Sequence, residues 1–331
     1  MSGSELVLAI DGGGTHTRCL AVDTATHRVI GRGAGGPSNH LLVERAIVQR
    51  SLTTAIDEAL ASAGARRGDV ACVAAGLAGV DFDGAGADDM EPLVARLGFS
   101  RELCVGDVIV AHHGALCGKP GVLVLAGTGS VVLGIGGDQK RAKVGGWGPV
   151  YGDEGSGHHI GRQALRAAAR AHDGRGPNTA LLDAMTTALG VRGFGQSISV
   201  VYGEHPMAPR DLAALTPIAY EVARSGDTVA RQIFFDAADD LAEAAMAVIR
   251  RLDALGAAPL VSYQGGVLDS CELVRQRFVE ALRLSLPAAV VHPPRLGPVF
   301  GAYLLGCRSL GLSIDDMALT SLTRDRTEND R

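Results

Sequence analysis

An apolar run ending in glycines and hydroxyls occurs twice in this chain, and that pair constrains the fold more than any other feature. Residues 6–10 (LVLAI) run into Asp11-Gly12-Gly13-Gly14-Thr15, and residues 17–23, rich in branched and apolar side chains, read as a returning strand. The pattern restarts at residues 122–126, which run into Gly127-Thr128-Gly129-Ser130 and return as a strand over 131–135. LVLAIDGGGT at 6–15 and LVLAGTGS at 123–130 form a short internal repeat. Repetition of a supersecondary unit implies two related domains, each opening on its own glycine hairpin.

The surrounding pattern extends this reading. Residues 28–34 give a third strand, so the chain opens as an antiparallel meander. Leu42, Ile47, Leu52, Ile56 and Leu60 fall near helical spacing and predict a helix over 41–63. A strand over 70–76, a helix over 87–97, a strand over 103–106 ending at Asp107 and a helix over 108–116 follow. After the second hairpin come a strand over 141–144, helices over 156–172, 178–190, 209–225 and 228–255, a strand over 260–263, and helices over 270–284 and 298–311. In the longest helix Val229, Ile233, Ala237, Leu241, Ala245, Val248 and Leu252 make one apolar stripe. Strands alternating with helices imply an α/β fold with mixed sheets. Residues 320–331 (TSLTRDRTENDR) are charged and apolar-poor, which predicts a frayed tail.

Composition narrows the class. A chain of 331 residues suggests about two domains. With 47% hydrophobic and 20% charged residues it can bury a core. The net charge of −5, without a basic run, argues against a nucleic-acid partner. The apolar runs fall far short of the ~20 residues of a membrane span, and residues 1–5 lack the basic start of a secretion signal. A cytoplasmic protein with no membrane partner is expected. Cys19, Cys72, Cys104, Cys117, Cys271 and Cys307 include no CxxC pair, so free thiols in a reducing compartment are expected rather than a zinc or redox motif.

Glycine numbers 45, close to twice ordinary usage, so glycine serves turns and close approaches. At Gly13 and Gly14 the missing side chains let backbone N–H groups face an anion, and Thr15 and Thr17 add hydroxyl donors. Asp11, at the strand end, can hold a magnesium ion, directly or through water, against phosphate oxygens. Gly127, Thr128 and Gly129 repeat the design, and either turn alone is equally well a tight β-turn. Two such turns opening two repeated units suggest a pair of loops gripping one polyphosphate. Other nucleotide motifs fail. Gly114–Pro120 is one residue short of a P-loop and lacks its hydroxyl, and Val132 stands where a dinucleotide fingerprint needs glycine.

Residues 145–157 (GGWGPVYGDEGSG) carry the only tryptophan, wrapped in glycines and followed by two carboxylates. Aromatic faces lie on sugar rings and carboxylates pair with sugar hydroxyls, so this loop reads as a sugar contact, although Asp153 or Ser156 also suits the N-cap of the next helix. Asp107 sits at a strand's carboxyl end, where α/β sheets place their ligand crevice, either as a general base toward a sugar hydroxyl or as an N-cap. The Asn39 amide could donate and accept toward sugar hydroxyls, or serve a turn. Gly265 and Gly266 could let backbone lie flat against a purine, or simply turn the chain. The ten histidines show no metal-ligand spacing.

DGGGTHTR at 11–18, GDV at 106–108, LAGTGS at 125–130, GGWGPVYGDEGSG at 145–157 and QGGV at 264–267 occur in a fixed order. This set resembles the N-acetylglucosamine kinase and BadF-type ATPase family, within the sugar kinase, heat-shock ATPase and actin superfamily. The resemblance spans residues 5–311 and is most specific in the tryptophan segment. It implies two ribonuclease-H-like, actin-like ATPase domains with an interdomain cleft: residues 1–117 plus the final helix 298–311, then 118–297, with a tail from 312 to 331. It implies phosphate contacts at Gly13, Gly14, Thr15, Thr17, Gly127, Thr128 and Gly129, and adenosine contacts at Gly265, Gly266 and Gly226. It makes Asp107 the catalytic base and Asn39, Gly146, Trp147 and Asp153 sugar contacts. The implied reaction is ATP- and Mg2+-dependent phosphorylation of the 6-hydroxyl of an amino sugar, first N-acetylglucosamine, with glucosamine and N-acetylmuramic acid as alternatives.

Two rival readings are weaker. A BadF-type activator of a dehydratase or reductase needs cluster-ligating cysteines, and none of the six follows a glycine-rich turn in the matching place. A sugar sensor needs a DNA-binding segment, and five residues precede Leu6. Dimers being the commonest assembly, a homodimer is the default expectation.

Overall fold

The computed structural model describes residues 5–80 and 86–329. The chain divides into two compact units, residues 1–120 with 293–331, and residues 121–292.

In the first unit β1 (Leu6–Gly12), β2 (Thr17–Asp23) and β3 (Val29–Gly35) form the expected meander, followed by α1 (Arg45–Ala63), β4 (Val70–Leu77), α2 (Ala87–Ala95), β5 (Glu102–Gly106) and α3 (Asp107–Leu116). The sheet order is β3-β2-β1-β4-β5, antiparallel across β3-β2-β1 and parallel across β1-β4-β5. Leu8, Ile10, Leu52, Ile56 and Val73 meet in a core between the sheet and α1 and α2. The glycines of β3 let α1 lie on the strand backbone: Cβ atoms at Gly31, Gly33 and Gly35 would stand 2.0–2.1 Å from carbonyl oxygens of Ala59, Ala55 and Ser51. This contact fixes the course of the chain out of β3.

The second unit opens with β6 (Gly121–Ala126), β7 (Ser130–Ile135) and β8 (Arg141–Gly145). Then come α4 (Gly157–His172), α5 (Leu181–Ala188), α6 (Ser197–Tyr202), α7 (Pro209–Ala213), α8 (Thr216–Arg224) and α9 (Thr228–Arg251). It ends with β9 (Leu260–Gln264), α10 (Gly266–Ser270), α11 (Glu272–Ser285) and β10 (Val290–His292). Its sheet order, β10-β9-β6-β7-β8, repeats that of the first unit strand for strand, with the same parallel and antiparallel joins. The repeat read from two short strings is therefore a repeat of topology. The α9 stripe is real: Ala237, Leu241, Ala245 and Val248 are buried in one core with Val124, Phe234 and Phe278.

The chain returns to the first unit as α12 (Pro298–Ser309) and α13 (Asp316–Asn329). Helix α12 covers the sheet face opposite α1, with Phe300, Tyr303 and Cys307 buried against Val7, Ala9 and Cys72. The frayed tail expected over 320–331 is instead mostly α13, which begins at Asp316; residues 330–331 lie outside the described part. Ala318 and Leu322 are buried, and Asp325 accepts the Val29 backbone N–H at 2.7 Å. One buried leucine and one buried carboxylate on a strand's N–H hold a helix whose average composition is that of a loose end. The single helix expected over 209–225 is two, because Pro217 starts a fresh helix at its first turn. All six cysteines are free thiols.

Candidate active site

The carboxyl end of the first unit's sheet collects one set of expected residues. Asp11 pairs with Gly76 on β4, which pairs with Val105 on β5, and Asp107 follows the end of β5, so Asp11 and Asp107 lie at the same end of the sheet, two strands apart. Gly76, on the strand between them, has no room for a side chain: a Cβ there would stand 2.2 Å from the Val110 side chain. Burial, then the Asp107 charge, pushes the Asp11 carboxyl up to about 6, with Arg18 opposing. Asp107 is the first residue of α3, and its Oδ1 accepts the Val108 N–H at 2.9 Å. A carboxylate at a helix start is favoured by the helix dipole, so the N-cap-like role and a chemical role coexist.

The first turn is open. The Gly13 N–H donates to His16 O at 2.9 Å and closes the turn, which leaves Gly14 and Thr15, both exposed, as its outward donors. Thr17 is different from the expectation. It is fully buried, and its hydroxyl donates to Gly36 O at 2.8 Å with the Ser38 hydroxyl 2.9 Å away. Alternation along β2 turns it inward, where it ties the 36–39 segment to the strand rather than facing a phosphate. The Ser38 N–H donates to Gly13 O at 3.0 Å, so the Asn39 loop is bound directly to the first turn. Asn39 is half-buried. Its Oδ1 accepts the Leu41 N–H at 3.0 Å and lies against Gly79, just past β4. Asp11, the turn, Asn39 and Asp107 therefore share one edge of one sheet.

The second turn is braced from three sides. Gly127 N–H closes it on Gly129 O at 2.9 Å. The first amides of α4, at Gly157 and His158, donate to Gly127 O and Thr128 O at 2.8 and 3.1 Å. Asp153, at φ 59°, is buried, and its Oδ1 accepts the Ser130 N–H at 3.3 Å. A Cβ on Gly129 would stand 2.9 Å from Asp153 Oδ2, so this glycine is required by the carboxylate behind it. Asp153, expected at a sugar, is thus a member of the second turn. Trp147 is 65% exposed and stacks on Tyr151 with ring centroids 6.4 Å apart. Gly146, at φ 71°, pins the tryptophan loop through its N–H on Ser130 O at 3.0 Å.

A cavity of about 670 Å³ in the second unit begins at this turn. Gly127, Thr128 and Gly266 lie on its wall. Gly265, at φ 107°, runs so close to β6 that a Cβ there would stand 2.6 Å from Ala126 O, and it shapes the turn behind that wall. Gly226 is not on the wall; at φ 98° it makes the bend between α8 and α9. Sequence reasoning missed the opposite side: Ala213 at the end of α7, and Thr216, Pro217, Tyr220, Glu221 and Arg224 of α8. The usable signal was Thr216-Pro217, which marks a helix start inside an otherwise continuous pattern.

The second unit's turn and cavity can bind phosphate oxygens and take up a planar base, and the edge of the first unit's sheet can present the Asp107 carboxyl to a hydroxyl. The donor set also fits Mg2+. Asp11 is a half-buried carboxylate raised by burial first and by the Asp107 charge second, a poorly solvated negative group that a hard, oxygen-seeking cation relieves. Among the described residues no helix is long and apolar enough to cross a membrane.

Known proteins fall on the same architecture. A solved structure from Chromobacterium violaceum, provisionally assigned as an N-acetylglucosamine kinase, superposes with a TM-score of 0.73 at 26% identity, over 92% of this chain and 99% of that one. A ROK family glucokinase from Streptomyces griseus shares the fold at a TM-score of 0.55 and 20% identity, over 92% and 99%. The N-acetylmuramic acid/N-acetylglucosamine kinase of Clostridium acetobutylicum is 28% identical over 90% of this chain and 97% of its own length. The N-acetyl-D-glucosamine kinase of Dictyostelium discoideum is 29% identical over 92% and 98%. The model of the BadF/BadG/BcrA/BcrD ATPase family matches residues 8–306, and the chain belongs to that family.

Proposed function

We propose that this protein transfers the terminal phosphoryl group of ATP to the 6-hydroxyl of an amino sugar, N-acetylglucosamine first. The observation that carries the reading is Asp107, held beside Asp11 and the Asn39 loop at the carboxyl edge of the first sheet. The two relatives named for N-acetylglucosamine, similar over nine-tenths of the chain, support the sugar class.

Phosphoryl transfer asks a protein mainly for positioning and charge stabilisation. In the second unit, the Gly127–Ser130 turn holds phosphate oxygens and the cavity beside it takes the nucleoside. In the first unit, Gly14 and Thr15 add donors to the polyphosphate. Asn39 offers an amide to sugar hydroxyls, and Trp147 offers a flat apolar face to the ring. Asp107 accepts the proton of the attacking hydroxyl late in the transfer, as positioned carboxylates do. Mg2+, held by Asp11 directly or through water, would neutralise charge on the phosphate oxygens. Six free thiols support a cytoplasmic location.

The deciding experiment measures ADP release over glucose, glucosamine, N-acetylglucosamine and N-acetylmuramic acid. Sugar-dependent release, highest with N-acetylglucosamine, is expected. Release that is independent of every sugar would reject the kinase reading in favour of an ATPase.

A further inference from the structure

The cavity beside the second turn has polar side chains on its wall, yet none of its charged groups is buried, and its hydroxyls are bonded within the protein or free to rotate. Thr216 donates its hydroxyl to Gly157 O at 2.8 Å. The Tyr220 hydroxyl accepts the Glu272 N–H at 2.8 Å. Arg224 donates through Nη1 to both carboxylate oxygens of Glu221, at 3.1 and 3.2 Å, and both side chains are mostly exposed, so their remaining donors and acceptors stay hydrated and carry no burial penalty against either base edge. Thr128 belongs to the phosphate turn. What faces a base is apolar surface from Ala213, Pro217 and Val267, the weakly bonding Cys271 thiol, the rotatable O–H groups of Tyr220 and Ser270, and the solvent-exposed Arg224. A hydroxyl rotates to donate or accept, so it fits either kind of base edge without choosing.

We propose that this cavity selects its phosphoryl donor by the polyphosphate and the shape of a purine, not by the base edge, so that ITP and GTP serve nearly as well as ATP. This rests on the kinase reading above. Adenine presents a donor at C6 and an acceptor at N1; hypoxanthine and guanine present the reverse. A site built to pair one edge leaves buried groups unpaired against the other and rejects it by about 10⁴–10⁵. An apolar wall bears no such penalty and discriminates by about tenfold or less.

The test compares kcat/KM for ATP, ITP and GTP at saturating sugar, read as sugar phosphate formed so that the assay is blind to the base. ITP lacks the 2-amino group of GTP and therefore separates edge chemistry from size. ITP within about tenfold of ATP is expected; a preference for ATP above about a hundredfold overturns the proposal. Tyr220→Phe should leave the ATP to ITP ratio unchanged, and a shift above about tenfold would mean that this hydroxyl reads the base, which also overturns it. Calorimetric titration of the whole chain with ADP and with IDP separates this inference from the kinase reading. Equal affinities without any sugar phosphorylation would uphold the wall and reject the kinase. Active sugar phosphorylation with ADP bound far more tightly than IDP would do the opposite.

Discussion

The two glycine–hydroxyl turns are nearly the same in sequence and built differently. The first is a hairpin whose exposed tip, Gly14 and Thr15, leans on no helix; its support comes from below, through the buried Thr17 hydroxyl and the Ser38 N–H. The second is clamped by the first amides of α4 and by the Asp153 carboxylate. Each turn is associated with one acid, but from different sources. Asp11 lies in the strand that enters the first turn, whereas Asp153 comes from 23 residues beyond the Ser130 it bonds. A shared local motif thus supports two tasks: an adaptable donor tip beside a pair of carboxylates, and a rigid cradle on the floor of a cavity.

The acids separate the tasks most sharply. Asp107→Asn keeps the shape, the helix start and the neutral contacts, and removes the proton acceptor. Loss of a positioned general base lowers turnover by about 10²–10⁴-fold, while the affinities for ATP and sugar stay within a few fold. Rapid-mix turnover combined with equilibrium binding checks both halves. Turnover near that of the wild type would move the base elsewhere.

Rigidity is tested by one methyl group in each turn. At Gly129 an added Cβ stands 2.9 Å from Asp153 Oδ2 and 3.1 Å from its Cγ. Overpacking of this kind costs about 1–3 kcal/mol, so Gly129→Ala should lower kcat/KM for ATP by about ten- to a hundredfold. At Gly13 the added Cβ meets only His16 O, at an ordinary 3.6 Å. Gly13→Ala should therefore be nearly silent. Equal damage at both positions would erase the distinction drawn between the turns.

Asp153 and Trp147 are neighbours in sequence with different surroundings, one buried on the turn and the other exposed. Asn tolerates the left-handed backbone at 153 and can still accept the Ser130 N–H, so Asp153→Asn removes charge alone. The expected result is a rise in KM for ATP of about fivefold, the loss of a charge-assisted bond worth about 1 kcal/mol, with KM for the sugar unmoved. Trp147→Ala should show the reverse split. If Asp153→Asn raises the sugar KM instead, the carboxylate reaches the sugar as well as the turn.

Much of this was legible along the chain because it is local. Strand, glycine turn and returning strand are adjacent in sequence, and both sheets followed from them. The strand-end position of Asp107 was legible from the short apolar run before it, and strand ends are where α/β folds put their chemistry. The rest depended on distant contacts. Thr17 looked like a donor beside a turn, and only the packing of residues 36–38 shows where its hydroxyl goes. The cavity wall formed by α8 lies almost a hundred residues from the turn it faces, and no local pattern links them. Helix α13 forms because Asp325 finds a strand amide nearly three hundred residues earlier.

A milder contrast sits on α9, whose inner stripe is apolar while its outer face gathers acids. Burial, then Glu154, Asp236, Glu243 and Asp239, pushes the Asp240 carboxyl up to about 6. A carboxylate raised in the folded state binds a proton there before the unfolded chain does. Between about pH 4 and pH 6 the native state holds the extra proton, so stability falls as pH rises through this window and stays lowered above it. Asp240 is 37% exposed, so solvent screening reduces the full shift to about 1 kcal/mol. Asp240→Asn should raise the melting temperature at pH 7 by a few degrees, with the gain shrinking below pH 5. Thermal scans of both proteins from pH 4.5 to 7.5 measure this, and a gain independent of pH would show that packing, not charge, limits this face of the helix.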